Sequence, residues 1–261
     1  MNPESELVEG FVKDRISIIM PAYNEADCIR RSVADVSKQF EALSKDFEII
    51  VVDDGSNDST RKIIEELTNK RFKIIGYDRN QGKGHAIKTG LYHSTGEFAF
   101  MIDSDSEIHP KELLSYLEAL ESSDFVIGSK RHPLSIVRTP TMRRFLSIGF
   151  NILEQLLTGV RATDTQAGLK AAKSTALYKV MPLLSVKRYA FDAELLAVAS
   201  LLGFRTKELP VQIDLKATFS IKQGFRMLID LLGIAYRLRV RRWYQENMVE
   251  MSNTYKPLIS W

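Results

Sequence analysis

Residues 15–25 have the sequence RISIIMPAYNE, a short apolar run that ends at a proline and is followed at once by polar side chains. Its β-branched residues are typical of a strand buried in a parallel sheet. Similar runs follow, separated by segments of helix length with charged faces: FEIIVV (47–52), FKIIGY (72–77), FAFMI (98–102) and FVI (125–127). This alternation predicts an α/β fold in which helices cover both faces of a mainly parallel sheet.

Composition and charge exclude several classes of protein. The 261 residues include 36 basic and 33 acidic side chains, so the net charge of +3 excludes a strongly basic nucleic-acid coat, and no nucleic-acid partner is expected. No run of about 18 apolar residues is present, so no membrane-spanning helix is predicted. Residues 1–9 are acidic and lack a basic and an apolar region, so no signal peptide is predicted. The single cysteine, Cys28, fits a reducing compartment, so we expect a cytoplasmic chain.

Polar segments follow three of the predicted strands: PAYNE (21–25), DDGS (53–56) and DSD (103–105). In open α/β sheets, ligands bind beyond the carboxyl ends of the strands. We therefore expect these three segments to meet along one edge of the sheet and to form the functional site.

The DSD segment is a candidate metal site. A turn after the strand would let Asp103 and Asp105 converge on one hard cation, with Glu107 nearby. Oxygen ligands of this kind favour Mg²⁺ or Mn²⁺, and such ions usually leave positions open for substrate phosphates. Taken alone, the same spacing also occurs in ordinary acidic turns.

Two other segments have both a binding and a structural interpretation. Asp53 and Asp54 could accept hydrogen bonds from a base or ribose, or they could cap the helix that starts near Asp58. In the segment GKG (82–84), the glycines would let backbone amides approach a phosphate with Lys83 as counter-charge. The alternative for that segment is a flexible helix start.

The chain changes character after Lys130. Residues 145–157 (FLSIGFNILEQLL) predict a helix that is apolar on most of its circumference, and residues 163–173, 188–202 and 205–213 predict a strand, a helix and a strand that finish the fold. A last long segment, 222–243, mixes apolar positions with a basic end. The two apolar segments predict contact with a membrane surface, with ordinary core packing as the alternative.

Together, PAYNE, DDGS, GKG, DSD, DTQAGLK (164–170) and FDAELL (191–196) resemble the family-two glycosyltransferases of the GT-A fold. The resemblance runs from about residue 16 to about residue 239. The patterns that begin at Arg161 and Arg188 resemble most closely the dolichyl-phosphate β-glucosyltransferase branch, beside the dolichyl-phosphate mannose synthases. On this basis we expect an N-terminal extension (1–14), a GT-A catalytic domain (15–218), an amphipathic basic helix (219–245) and a tail (246–261).

The resemblance implies a role for individual residues. It assigns nucleotide-sugar binding to seven residues at the strand ends, which are Pro21, Ala22, Tyr23, Glu25, Asp53, Asp54 and Ser104. It assigns the metal to Asp103, Asp105 and Glu107, and the acceptor phosphate to four basic residues, which are Lys130, Arg131, Arg143 and Arg144. The alternative for these arginines is a set of surface ion pairs with helix carboxylates.

The function implied is a metal-dependent, inverting transfer of glucose from UDP-glucose to a polyprenyl (dolichyl) phosphate, by an enzyme associated peripherally with the cytoplasmic membrane face. Lys83 would stabilise the leaving group, and Asp192 is the candidate base. Because a phosphate acceptor is already ionised, Asp192 and Asp164 could orient cations or sugar hydroxyls instead. The alternatives are GDP-mannose as donor, a soluble glycan or protein as acceptor, a binding module without turnover, and a nucleotidyltransferase.

Overall fold

The strands predicted from the apolar runs are all present in the computed structural model, which describes residues 11–43, 45–67, 70–105, 113–138, 141–188, 190–214 and 221–254. The strands are β1 (Val12–Ala22), β2 (Phe47–Asp53), β3 (Phe72–Gly76), β4 (Gly96–Ile102), β5 (Phe125–Ser129), β6 (Ile136–Arg138), β7 (Leu169–Lys173), β8 (Thr206–Pro210) and β9 (Gln212–Asp214). The helices are α1 (Ile29–Ala42), α2 (Thr60–Glu65), α3 (Lys83–Tyr92), α4 (Leu113–Ser122), α5 (Thr141–Thr158), α6 (Ser174–Val180), α7 (Phe191–Leu201), α8 (Ile221–Ala235) and α9 (Trp243–Thr254).

The central sheet has seven strands in the order β3-β2-β1-β4-β7-β5-β8. Only β7 runs antiparallel to its two neighbours, so the prediction of a mainly parallel sheet is confirmed. The first strand begins at Val12, earlier than the sequence predicts, because Val12 pairs with Gly96 beyond an irregularity in the register. Strands β6 and β9 form a separate two-stranded parallel ribbon.

Alternate side chains of β1 pack on opposite faces of the sheet. Ile18 and Met20 lie in a core with Val33 and Phe40 of α1, whereas Ile19 lies in a second core that includes residues of α3, α6 and α7. Each fully buried side chain of this size contributes about 1.5–3 kcal/mol. Burial on both faces therefore fixes the carboxyl ends of the strands, and with them the loops that carry the polar segments.

The C-terminal region differs from the prediction of one helix followed by a tail. Helix α8 continues into a π-helical turn, Tyr236–Val240, and the chain then bends at Arg242, whose φ is +50°. Helix α9 follows at once, so residues of the predicted tail are helical as far as Thr254. Helix α9 is held against the body of the protein because the Tyr244 ring is completely buried, although the surrounding sequence is polar.

Glu194 of α7 connects this C-terminal region to the body of the protein. Its carboxylate is fully buried and accepts hydrogen bonds from Ser185 N at 2.9 Å, from Val186 N at 2.7 Å and from the Tyr244 hydroxyl. It also forms an ion pair with Arg237 at 3.1 Å. One buried carboxylate thus joins α7, the loop before it, the π-helical turn and α9.

Replacing Glu194 by Leu should destabilise the protein and release α9. Removing one partner of a buried pair leaves the other uncompensated, so we expect a loss of about 3 kcal/mol in the free energy of unfolding and a fall in Tm of roughly 6–12 °C. Thermal unfolding and amide hydrogen exchange of α9 would measure both effects. The control is Glu246→Gln, at an exposed carboxylate of α9. Equal Tm values for the two variants would contradict this role of Glu194.

Candidate active site

The loops after β1, β2 and β4 meet at one edge of the sheet. The Ser104 hydroxyl donates to the Pro21 carbonyl at 2.7 Å, and Asp54 N donates to the carbonyl of the buried Ala22 at 2.8 Å. Asp53 is the register partner of Ala22 at the ends of the two strands. Residues that are far apart in the sequence are therefore held within hydrogen-bonding distance, as the polar strand ends predict.

The PAYNE loop is fastened to the loop after β2. Asn24, whose φ is +56°, donates from its backbone N to Ser56 Oγ at 3.0 Å and accepts from Asn57 N at 2.9 Å. Glu25 N donates to Thr60 Oγ1 at 2.8 Å. Tyr23 remains 41% exposed, so one face of an aromatic ring is available at the rim of the site.

The two aspartates of the DDGS segment have different environments. Asp54 accepts from the Tyr77 hydroxyl at 2.7 Å, from Gln81 N at 2.8 Å and from Gly82 N at 2.9 Å, so it holds the loop before α3 in place. Asp53 is equally buried, and its Oδ1 accepts from Ser56 N at 3.1 Å. Its Oδ2 has no hydrogen-bond partner among the described residues.

The alternative interpretation, in which these aspartates cap the following helix, is wrong. The backbone N of Thr60, the first residue of α2, donates to Asp58 Oδ1 at 2.9 Å. Asp58, which precedes the N-cap residue Ser59, accepts from the first N–H of the helix, and Asp53 and Asp54 remain at the strand end.

A cluster of lysines and carboxylates lies at the centre of the site, with Lys170 and Asp192 buried and Lys83 and Asp103 half-buried. Lys83 Nζ lies 2.7 Å from Asp103 Oδ1 and 3.5 Å from Asp192 Oδ2. Asp192 Oδ1 lies 3.0 Å from Lys170 Nζ. The chain thus brings together the ends of β4, α3 and α7 with the side chain of a β7 residue, and three of the residues predicted from the sequence are in direct contact.

The cluster keeps its members ionised. Burial opposes the charge of Lys83, but Asp103 and Asp192 outweigh it and raise the pKa of Lys83 above its ordinary value. Burial likewise raises the pKa of Asp192, but Lys170 and Lys83 outweigh it and hold that pKa below the usual range. A carboxylate that is ionised and bonded to two lysines orients cations more readily than it removes a proton.

Lys170 has no function that the sequence alone predicts, although it ends the DTQAGLK segment. It is 2% exposed and donates to the Ala167 carbonyl at 2.6 Å in addition to pairing with Asp192. A charged residue within the short apolar strand LKAAK is the signal that could have identified it, because a lysine is buried only when it is paired.

Asp103 is closely packed and already faces a positive charge. Its backbone N donates to the Gly168 carbonyl at 3.0 Å, and a Cβ on Gly168 would lie 2.1 Å from Asp103 Oδ2, so only glycine admits the carboxylate here. Lys83 already places a positive charge against both oxygens of Asp103. Glu107 lies outside the described residues, and within those residues no three His, Cys, Asp or Glu side chains are grouped to hold a metal. Asp103 and Asp105 are oxygen ligands of the kind that Mg²⁺ or Mn²⁺ prefers, but Lys83 occupies both oxygens of Asp103 in this structure, so a metal at this position remains a prediction.

A second charged pair lies beyond β5. Asp164 is 2% exposed and accepts from Lys130 N at 2.9 Å, with Lys130 Nζ at 3.2 Å. Burial lowers the pKa of Lys130, and Asp164 partly offsets this effect. Arg131 donates to the carbonyl of Thr163 and, at 2.9 Å, to that of Ser147 on α5. Arg143 and Arg144 lie on α5, but their side chains are outside the described part of the structure.

Gly82 positions Lys83 through close packing. Its φ is +105°, and a Cβ there would lie 2.4 Å from the carbonyl oxygen of Lys187. His85 N donates to the Gly82 carbonyl at 2.9 Å and to the Lys187 carbonyl at 3.2 Å. The GKG segment is therefore a tightly packed helix start and not the flexible one that was the alternative.

The amino-acid sequence matches a known protein family and several characterised relatives. Residues 17–180 match the family described as Glycosyl transferase family 2. A dolichyl-phosphate β-glucosyltransferase from Dictyostelium discoideum is 30% identical over 248 residues, which cover 87% of this chain and 76% of that protein. A UDP-N-acetylglucosamine–dolichyl-phosphate N-acetylglucosaminyltransferase from Methanococcus voltae is 29% identical, over 85% of this chain and 94% of that protein.

Solved structures share the fold at lower identity. Glucosyl-3-phosphoglycerate synthase from Mycobacterium tuberculosis, crystallised with Mn²⁺, UDP-glucose and phosphoglyceric acid, superposes with a TM-score of 0.63. The match covers 90% of this chain and 81% of that chain at 18% identity. This likeness extends the comparison of the fold beyond the family match to nearly the whole chain.

Replacing Gly82 by Ala should destabilise the start of α3. The loss should exceed the cost of a positive φ at a non-glycine residue, because the added Cβ also contacts the Lys187 carbonyl. The control is Gly159→Ala, since Gly159 has a φ of +76° but a Cβ at that position would have no atom within 4 Å. We expect about 1–2 kcal/mol for Gly159→Ala and a larger loss for Gly82→Ala, because the φ of +105° and ψ of 154° at Gly82 suit only glycine and the added Cβ also forces a carbonyl to move. Urea unfolding of both variants gives the two values, and equal losses would show that the contact with Lys187 is unimportant.

Proposed function

The chain belongs to glycosyl transferase family 2, and on that basis we propose that this glycosyltransferase moves glucose from UDP-glucose to a polyprenyl (dolichyl) phosphate at the cytoplasmic face of a membrane. The observation that carries the proposal is the Lys83–Asp103–Asp192 cluster at the sheet edge, with the Lys130–Asp164 pair as a second charged site. The name of the Dictyostelium discoideum relative supports glucose and dolichyl phosphate as the substrates.

The hydrogen-bonding pattern of the Asp53 carboxylate supports uracil as the base of the donor nucleotide. One of its oxygens already accepts from Ser56 N, and the other has no partner among the described residues. Uracil presents a single N–H on its pairing edge, whereas guanine presents a ring N–H and an amino group side by side. A carboxylate with one available oxygen matches the first pattern, and the exposed Tyr23 ring can stack on the base.

The diphosphate would lie against Asp103, Asp105 and Lys83. Mg²⁺ or Mn²⁺ held by the two aspartates would supply electrostatic stabilisation of the leaving group. Lys83 adds a positive charge that its carboxylate partners hold in place, and a preorganised charge of this kind stabilises a leaving group. Asp192 keeps Lys83 and Lys170 in place from the other side.

The acceptor needs no general base in this scheme. A phosphate monoester has a second pKa of roughly 6 and is mostly dianionic at neutral pH. Its oxygen would attack the anomeric carbon while the bond to UDP breaks on the opposite face, which inverts the configuration. Lys130 and Arg131 would bind the acceptor phosphate, together with Arg143 and Arg144 of α5, because guanidinium groups pair with two phosphate oxygens at once.

An apolar face on α5 and α8 supports attachment to a membrane. The two helices pack against each other, and their exposed apolar side chains are Ile148, Ile152, Leu156, Phe225, Ile229 and Leu232, to which the π-helical turn adds Tyr236 and Val240. Exposed arginines accompany them at positions 226, 239, 241 and 242. No helix within the described residues has the length and hydropathy to cross a bilayer. A peripheral arrangement would bury this apolar face in lipid while the arginines meet anionic head groups.

The purified protein should transfer labelled sugar from UDP-glucose to a polyprenyl phosphate when Mg²⁺ or Mn²⁺ is present. Parallel reactions with UDP-N-acetylglucosamine and GDP-mannose identify the donor, and chelation of the metal should abolish transfer. Asp103→Asn should lower kcat by about a hundredfold or more, since it removes a ligand and a partner of Lys83. The control is Asp78→Asn, whose side chain is 95% exposed.

Other results would contradict specific parts of the proposal. Transfer from UDP-glucose to a soluble glycan but to no lipid would refute the acceptor, and efficient transfer from GDP-mannose alone would refute the donor. Undiminished activity of Asp103→Asn would refute the role of the carboxylate–lysine cluster.

Removing part of the apolar face should weaken binding to vesicles without affecting the chemistry. The double variant Phe225→Ser, Leu232→Ser should bind anionic vesicles roughly tenfold or more weakly, since it removes two exposed apolar side chains. Co-sedimentation measures binding, and a short-chain, water-soluble prenyl phosphate measures the catalytic step, which should be unchanged. Leu114→Ser, at an exposed leucine of α4, is the control. Equal binding by both variants would place the membrane contact elsewhere.

A further inference from the structure

The inner face of α5 carries buried polar groups that the proposed mechanism does not use. Glu154 is 0% exposed, and Asn151, one turn earlier on the same face, is 7% exposed. Among the described residues, neither carboxyl oxygen of Glu154 has a hydrogen bond of normal geometry, and Asn151 Nδ2 has none. The helix therefore presents two carboxyl oxygens and one amide donor that are buried and form no hydrogen bond of normal geometry in the described part of the chain, although the Thr165 hydroxyl is close enough to lower the pKa of Glu154.

Such an arrangement is costly unless something else completes it. A buried polar group without a partner costs about 1–3 kcal/mol, and more when it is charged. Most buried polar side chains in proteins have a partner. Within the described ranges, the unsatisfied carboxyl oxygens of Glu154 and the unsatisfied Nδ2 of Asn151 suggest hydrogen-bonding groups supplied by a bound molecule.

The amide of Asn151 is held ready for such a molecule. Its Oδ1 accepts from Gln155 Nε2 at 3.0 Å, and the same Nε2 donates to the carbonyl of Ala162 at 2.8 Å. Because the oxygen is engaged, the orientation of the amide is fixed and Nδ2 remains the available donor. A donor fixed in this way loses little entropy when a ligand binds.

Glu154 belongs to the charged centre of the site. Helix α5 packs against α7, which carries Asp192. Burial raises the pKa of Glu154 to about 7, Thr165 and Lys170 lower it, and Asp192 and Asp164 add to the increase. At neutral pH the group thus exists in both forms, so it can donate one hydrogen bond as well as accept.

The chemistry of the surroundings selects the ligand. Asp164 and Asp192 are the carboxylates that act on Glu154, and a third carboxyl group beside them disfavours a phosphate. Hydroxyl groups can both donate to a carboxylate and accept from an amide. We propose that Asn151 and Glu154 form a subsite that binds hydroxyl groups of the transferred hexose. This inference rests on the proposed function, because it assumes that the ligand of the site is a nucleotide sugar.

The test compares binding of UDP-glucose with binding of UDP, by calorimetry in the presence of Mn²⁺ and without acceptor. Glu154→Leu should weaken binding of UDP-glucose by about tenfold to a hundredfold, as expected for lost hydrogen bonds to a carboxyl group, and leave binding of UDP within about twofold. Asn151→Leu should weaken UDP-glucose alone by about threefold to tenfold. Glu154→Gln should retain part of the affinity, and Glu118→Gln, an exposed carboxylate on α4, is the matched control.

Stability separates this role from a structural one. Removal of an unpartnered buried carboxyl should leave Tm unchanged or raise it in Glu154→Leu, whereas a structural residue would lower it. A fall in Tm with equal weakening of UDP and UDP-glucose would overturn the subsite, and so would unchanged binding of both.

The binding experiment is independent of the acceptor. If the wild-type protein binds UDP-glucose through Glu154 but does not glycosylate a polyprenyl phosphate, the proposed acceptor fails and the subsite stands. If it binds only guanine nucleotides, the same comparison between GDP-mannose and GDP decides the inference.

Discussion

The site depends on a carboxylate, Asp192, held between two lysines. Lys83 comes from the start of α3 and Lys170 from β7, while Lys83 also reaches Asp103 at the end of β4. Charges can be buried at this depth only when each is paired, and loss of any partner leaves another uncompensated. Since four separate elements supply the cluster, it exists only in the complete fold. The same fold places the cluster at the edge of the sheet where the polar loops meet.

The sequence predicts the first half of the fold well because the information there is local. Apolar runs with polar ends mark β1 to β5, and the predicted GT-A fold is confirmed by the family match and by the solved structures that superpose on this chain. The position of β7 between β4 and β5 depends on pairings that no local pattern encodes. The same limit explains α9, where a single buried ring, Tyr244, fixes a segment whose composition resembles that of a tail.

Within the site, the sequence identifies residue types but not their partners. Asp53 and Asp54 are adjacent in the sequence, and they differ because the Tyr77 hydroxyl and the loop that ends at Gly82 hydrogen bond to Asp54. Lys170 and Glu194 lie within the DTQAGLK and FDAELL motifs, but nothing in those motifs indicates what either side chain contacts. Each is buried by contacts from distant segments, so its importance becomes visible only in three dimensions.

The polarity of α5 connects the proposed acceptor with the proposed sugar site. A helix at the surface of a water-soluble protein normally turns apolar residues inward and polar residues outward. Helix α5 exposes Ile152 and Leu156, at 53% and 65%, while Asn151 and Glu154 are buried. A helix with this distribution is unfavourable in water on both faces. Both costs are removed together if the outer face meets acyl chains and the inner face meets the hydroxyl groups of a sugar. An enzyme that joins a sugar to a lipid has a reason to combine the two faces in one helix, because that helix then lies between its two substrates.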